Sequence, residues 1–226
     1  MSDHLTEEEQ LENLKRLWKE YGLTIIATVV IATGGYFGWN YWQDQQRIKA
    51  ETSSSLFDQL MTAAVDKTET QLQDDARRAT VEHLAEQIKG IDSSSIYAQQ
   101  AALFRAREAV LAEDYAQAST DLQWVVDNAK DAAIVAVAKV RLARVMLAQN
   151  NYDQALMLLD SAATEGFSAE LAEVRGDALR LKGDTLAAGE AYQQALDNID
   201  NDQQRSLIIQ MKIDDLKIAD NQESGA

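Results

Sequence analysis

Apolar and polar positions divide this chain into one uninterrupted apolar run followed by a long series of helical periods. From Tyr21 to Gln43, YGLTIIATVVIATGGYFGWNYWQ, no side chain is charged. As a helix rising ~1.5 Å per residue this run measures about 34 Å, enough to cross a hydrocarbon core of about 30 Å. Tyr36, Trp39, Tyr41 and Trp42 crowd its C-terminal end, where amphipathic rings favour the boundary between acyl chains and water. The pattern predicts a transmembrane helix over 21–43, with that boundary near Trp39 to Trp42.

Beyond the run, apolar residues recur at helical spacing and do not alternate as in strands. Residues 44–66 continue the helix with Leu56, Leu60 and Ala63 in period, the Ser53-Ser54-Ser55 run being a candidate break. A helix over 72–89 follows, with Ala76, Ala79, Leu84 and Ile88, and Gly90 is its expected stop. Further helices are predicted over 96–112, 115–128, 132–149, 152–164, 168–182, 185–198 and 203–219. The expected fold class is all-α, without a sheet.

Alignment of the chain with itself uncovers a repeat. EDYAQASTDLQWVV, NNYDQALMLLDSAA and GDTLAAGEAYQQAL begin at Glu113, Asn150 and Gly183, steps of 37 and 33 residues, against a tetratricopeptide period of about 34. These segments resemble tetratricopeptide repeats. The small residues where paired helices cross are Ala106, Ala143 and Gly176 in the first helices, and Ala118, Ala155 and Ala188 in the second. Two helices joined by a tight turn approach closely only where neither presents a bulky side chain, and a large neighbour fills the gap. Tyr115 and Tyr152 occupy the turn-aromatic position, with Thr185 in the third copy. Leu122, Leu159 and Tyr192, then Val125, Ala162 and Ala195, are the later core positions. The chain departs from the family pattern at its early tryptophan, here Ala102, Lys139 and Ala172, and at its closing proline, here Lys130, Phe167 and Asp200.

Stacked repeats place first helices along a concave face and need a terminal cap, for which 203–219, with Leu207, Ile208, Met211, Asp215 and Leu216, is the candidate. By offset, the concave-face candidates for protein binding are Leu103, Arg107 and Val110; Val140, Arg144 and Leu147; and Glu173, Asp177 and Arg180. Arg107 and Arg144 are equivalent by repeat. They suit either a paired guanidinium contact to a client carboxylate or salt bridges between neighbouring helices.

Charge decides what kind of apolar run Tyr21–Gln43 is. Its N-terminal flank holds Lys15, Arg16 and Lys19 against Asp3, Glu7, Glu8, Glu9, Glu12 and Glu20, unlike the short basic opening of a secretory signal. The small-x-small site Ala32-Thr33-Gly34 is followed by more uncharged and aromatic sequence, so a retained anchor is expected. Three clustered basic residues precede the span and only Arg47 and Lys49 closely follow it, which favours an N-terminal tail inside and the remainder outside the cytoplasm. The net charge of −16 falls mostly beyond the span and disfavours nucleic acid and anionic lipid surfaces as partners. The expected organisation is a cytoplasmic tail (1–20), a transmembrane helix (21–43), juxtamembrane helices (44–95) and a tetratricopeptide-like domain with its capping helix (96–226).

Catalytic material is scarce. There is no cysteine and no proline, and the two histidines are His4 and His83. Disulfides and thiolate chemistry are thereby excluded, and His83 with Glu82 and Glu86 does not form the HExxH spacing. Asp74-Asp75 and Asp214-Asp215 are sequence neighbours that point apart on a helix, poor acid–base pairs. No catalytic, cofactor or metal site is expected, and the chain reads as a non-enzyme. Within the span, Gly34 and Gly38 form GxxxG, and Thr28 with Ala32 extends the small-residue pattern, a candidate seam for another membrane helix, from a second copy or from a partner.

The arrangement as a whole resembles the YfgM-type ancillary subunits of the bacterial SecYEG translocon. The features that carry it are the acidic tail with LKRLWKEYG, the span ending GGYFGWNYWQ, the repeat domain and the ending IIQMKIDDL. The resemblance covers essentially the full chain. It implies a single-pass bacterial inner-membrane protein with its C-terminal domain in the periplasm. It also implies SecYEG and the membrane-anchored parvulin-like chaperone PpiD as partners, and a role in handing translocated proteins to periplasmic chaperones. The alternative is a membrane-tethered scaffold for another envelope assembly or a cell-wall complex.

Overall fold

The computed structural model describes residues 7–65, 71–162, 166–199 and 202–223. Every regular element among them is an α-helix: α1 (Glu7–Val65), α2 (Gln71–Ile91), α3 (Ile96–Leu111), α4 (Tyr115–Asn128), α5 (Ala132–Ala148), α6 (Tyr152–Asp160), α7 (Ser168–Lys182), α8 (Thr185–Asp197) and α9 (Gln203–Glu223). The chain divides into two compact units, Met1–Glu51 and Thr52–Ala226.

The first unit contains the charge-free run. Among the described residues α1 alone is long and apolar enough to cross a membrane, and the large apolar side chains of its charge-free run are exposed. Leu23 is 85% and Ile31 74% exposed. A helix with bare aliphatic side chains all round is unstable in water and suited to lipid. The Thr28 hydroxyl donates to the Thr24 carbonyl at 2.8 Å, so it needs no water. Trp39 and Trp42 pack against each other with ring centroids 5.2 Å apart and planes tilted by 37°.

The second unit opens with the end of α1. Ser53, Ser54 and Ser55 do not interrupt the helix. Leu60 and Ala64 bury against Val81, Leu84, Ala85 and Ile88 of α2 and Ala98 and Ala101 of α3, and Ser53 itself is buried. Tertiary packing of this face outweighs the weak helix preference of serine. Gly90 is likewise helical, and α2 ends one residue later. The stop comes from Asp92, whose Oδ1 accepts from both the N–H and the hydroxyl of Ser94 at 2.9 and 2.8 Å.

Three helical hairpins follow, α3/α4, α5/α6 and α7/α8, each packed on the next, with α9 against α8. Their turns are built alike. Glu113, Asn150 and Gly183 all have left-handed backbone, with φ of 60°, 62° and 91°. At each, the following N–H closes back five residues, from Asp114 to Ala109, Asn151 to Met146 and Asp184 to Leu179, every one at 2.9 Å. These bonds satisfy carbonyls that a helix end leaves orphaned. Asp114 and Asp184 then cap the next helix by accepting from Gln117 and Ala187 N–H at 3.0 and 3.1 Å.

Small residues line each crossing. Ala118, Ala143, Ala155 and Ala188 are fully buried, Ala106 nearly so, and Leu122, Leu159 and Tyr192 fill the space beside them. The predicted repeat register therefore matches the three turns and the three crossings.

The largest departure is α6, which ends at Asp160 rather than continuing through 164; residues 163–165 lie outside the described ones. The Ser161 hydroxyl donates to the Leu158 carbonyl at 2.7 Å, while Lys139 of α5 donates to the Ser161 carbonyl at 2.8 Å. A serine that competes for backbone groups and a cation at a helix C-terminus together close the helix. Lys139 thus acts on α6 from the position where the repeat family has its tryptophan.

Candidate protein-binding site

Between the first two hairpins α3, α4 and α5 enclose an open cavity of about 430 Å³. Leu103 and Val110 of α3, Leu122 of α4 and Val145 of α5 give it an apolar lining, with Tyr115 at the turn. Arg107, Arg141 and Arg144 complete the wall. This combination of apolar surface with a few convergent polar groups is what binding pockets use.

The three guanidinium groups differ in their partners. Arg107 Nη1 lies 2.9 Å from Glu108 Oε1, and the buried Glu108 carboxylate also holds Arg77 of α2 at 2.6 Å. Arg141 and Arg144 make no hydrogen bond or ion pair among the described residues. Partial burial, reinforced by the neighbouring Arg144 charge, lowers the Arg141 pKa from the ordinary guanidinium value. The two guanidinium groups form a positive pair without an ion-pair partner among the described residues, within a chain of net charge −16.

The cavity brings together the predicted residues Leu103, Arg107, Val110 and Arg144. It does not include Val140 and Leu147, which are buried in the core shared by α5, α6 and α7. Glu173 and Asp177 are held by α9: Lys212 Nζ lies 2.9 Å from Glu173 and 2.7 Å from Asp177, and Arg205 donates to Glu173 at 2.8 Å and to Glu170. The Tyr192 hydroxyl donates to Asp177 at 2.8 Å; its burial and this carboxylate push the phenol pKa upward. Burial raises the Glu173 pKa, but Lys212 and Arg205 outweigh it and the net shift is downward. Arg180 is exposed on α7.

Gly34 and Gly38 in the first unit have open space where a Cβ would stand, and Thr28 and Ala32 are exposed on the same helix. His83 is exposed and bonded to the Gln87 side chain at 3.0 Å. No group of three or more His, Asp or Glu side chains among the described residues could hold a metal ion.

Repeat offsets did not find Arg141, although its i, i+3 spacing from Arg144 puts both on one helix face. They also missed the buried ion pairs that hold the hairpins in register. Arg105 of α3 donates from Nε to Asp121 of α4 at 2.8 Å and also reaches Glu86 of α2. Asp121 is 1% exposed, and its carboxylate with Glu86 keeps the Arg105 pKa raised against the effect of burial.

Comparison with known proteins bears on what such a surface serves. The family described as a tetratricopeptide repeat-like domain matches residues 15–218. An ancillary SecYEG translocon subunit of Neisseria gonorrhoeae (strain ATCC 700825 / FA 1090) is 30% identical over 217 residues, 96% of this chain and 100% of that protein. The chain belongs to the ancillary SecYEG translocon subunit family. Members with the same description from Escherichia coli (strain K12) and Haemophilus influenzae (strain ATCC 51907 / DSM 11121 / KW20 / Rd) are each 30% identical. They align over 96% and 86% of the chain, and over 100% and 91% of their own lengths. Similarity to this ancillary-subunit family therefore takes in the candidate membrane helix as well as the repeats.

Proposed function

We propose that this chain is a non-enzymatic ancillary subunit of the Sec translocon. The observation that carries the reading is end-to-end similarity, apolar helix included, to proteins named as ancillary SecYEG subunits. In this reading residues 1–20 are cytoplasmic, 21–43 cross the bacterial inner membrane, and the helices from 44 onward stand in the periplasm, with the repeat domain over 96–226. The domain binds proteins leaving the channel and passes them to periplasmic chaperones, PpiD among them.

Physical support comes from two features. The lipid-suited surface of α1, with Gly34 and Gly38 uncovered, admits close approach by another membrane helix. The repeat domain offers an apolar cavity edged by Arg141 and Arg144, which have no ion-pair partner among the described residues, a surface for polypeptide rather than a centre for bond-making chemistry.

The test is co-purification from detergent-solubilised membranes. The full chain is expected to retain SecYEG and PpiD, and exchange of residues 21–43 for an unrelated span is expected to lose them. Retention by the unrelated span would remove the helix from docking. Recovery of a different envelope or cell-wall complex in place of SecYEG would overturn the assignment.

A further inference from the structure

We infer that the cavity between the first two hairpins captures the free C-terminal end of a polypeptide, its terminal carboxylate on Arg141 and Arg144 and its last apolar side chain against Leu103 and Val145. This deepens the proposed protein-binding role and assigns it a ligand chemistry.

Three observations converge on that occupant. Arg141 and Arg144 stand one turn apart on α5 and face no anion among the described residues, so their mutual repulsion is relieved when a carboxylate bridges them. Arg107 of α3 also lines the cavity but is already partly occupied by Glu108, which leaves the α5 pair as the main anion site. Apart from Tyr115, the rest of the lining is apolar, and the chain is acidic overall. A strongly acidic segment would be repelled by the domain and would leave the apolar wall unused. A single carboxylate beside an apolar side chain satisfies both surfaces.

A chain terminus has that composition within one residue. Its α-carboxylate and side chain diverge from the same Cα, so charge and apolar group enter a small cavity together. An internal Asp or Glu ends its own side chain in the charge, and a neighbouring residue must supply the apolar contact while its flanking amides lose water.

The experiment uses the full chain in detergent micelles and fluorescence anisotropy with N-terminally labelled Gly-Ser-Gly-Ala-Val-Leu. The free acid is expected to bind, with affinity falling at least about tenfold for the C-terminal amide. Arg141→Gln and Arg144→Gln are each expected to weaken the free acid by a similar factor and to leave the amide unchanged. Lys130→Gln, an exposed cation outside the cavity, is expected to change neither, and unaltered helical circular dichroism in the variants excludes unfolding. Equal binding of acid and amide, or no binding of the acid, overturns the proposal. So does equal binding of an amidated peptide whose only carboxylate is an internal Glu. Failure here with SecYEG still co-purifying leaves the translocon reading intact, whereas loss of SecYEG with peptide binding intact removes only that reading.

Discussion

Gly176 lies directly beneath the ring of Tyr192. A Cβ placed on Gly176 would fall 2.5 Å from both Cδ1 and Cε1 of the tyrosine, well inside van der Waals contact. The equivalent pairs in the earlier hairpins are Ala106 with Leu122 and Ala143 with Leu159, so the third repeat exchanges one methyl group on α7 for an aromatic ring on α8. The ring is fully buried and its hydroxyl is anchored by Asp177.

Gly176→Ala is therefore expected to destabilise the repeat domain by about 1–3 kcal/mol, the range for overpacking a filled core, despite the better helix propensity of alanine. Tyr192→Leu in the same chain should restore part of the loss by recreating the Ala–Leu crossing of the other hairpins. Urea unfolding of the two single variants and the double variant measures the coupling. Simple additivity would mean that the close approach carries no energy.

Glu113 and Asn150 hold the left-handed turn position that Gly183 fills in the third hairpin. The left-handed conformation costs an L-residue roughly 1–2 kcal/mol, while glycine brings an unfolded-state entropy penalty of about 0.5–1 kcal/mol. Glu113→Gly is thus expected to stabilise by about 0.5–1 kcal/mol and raise Tm by about 1–4 °C. Ala116→Gly, on the exposed face of α4, should instead lose about 1 kcal/mol. Thermal unfolding followed by circular dichroism compares the pair.

The junction of α9 with α7 should weaken in acid. Glu173 has a folded pKa below its unfolded value of about 4.3, because Lys212 and Arg205 outweigh the opposing effect of burial. Its contribution is complete above that unfolded value and is lost as pH falls through the folded one. Hydrogen exchange in α9 should therefore accelerate below about pH 4. Glu173→Gln should cost about 1–3 kcal/mol at neutral pH and flatten that acid response.

Topology can be read with single cysteines, since the chain has none of its own. Gln45→Cys, just past the charge-free run, should react with a membrane-impermeant maleimide in cells with a permeabilised outer membrane. Asn13→Cys should react only after the inner membrane is opened. The reverse pattern would place the repeat domain in the cytoplasm.

Much of this fold is legible in one dimension because the determining forces are local. The charge-free length from Tyr21 to Gln43 and the 3.6-residue period beyond it are properties of consecutive residues, as are the Asp114 and Asp184 caps. The offsets of Ala106, Ala143 and Gly176 also survive in sequence, because close helix crossings recur at a fixed spacing within each hairpin. Of the candidate surface, Leu103, Arg107, Val110 and Arg144 share one cavity, whereas Val140 and Leu147 at equivalent offsets pack into the core shared by α5, α6 and α7. Curvature and packing between successive hairpins decide which side of a helix remains open, and periodicity is blind to that.

Sequence alone determined the membrane-length helix, the all-α class, the repeat register and the absence of thiol chemistry, since each depends on residue type and short-range spacing. Only tertiary structure decided that Lys139 closes α6 and that Asp177 is claimed by Lys212 and Tyr192. It also decided that Arg141 and Arg144 face a cavity without a carboxylate of their own among the described residues. A charged side chain meets or misses its partner across tens of residues of intervening chain, so its state depends on how whole helices stack.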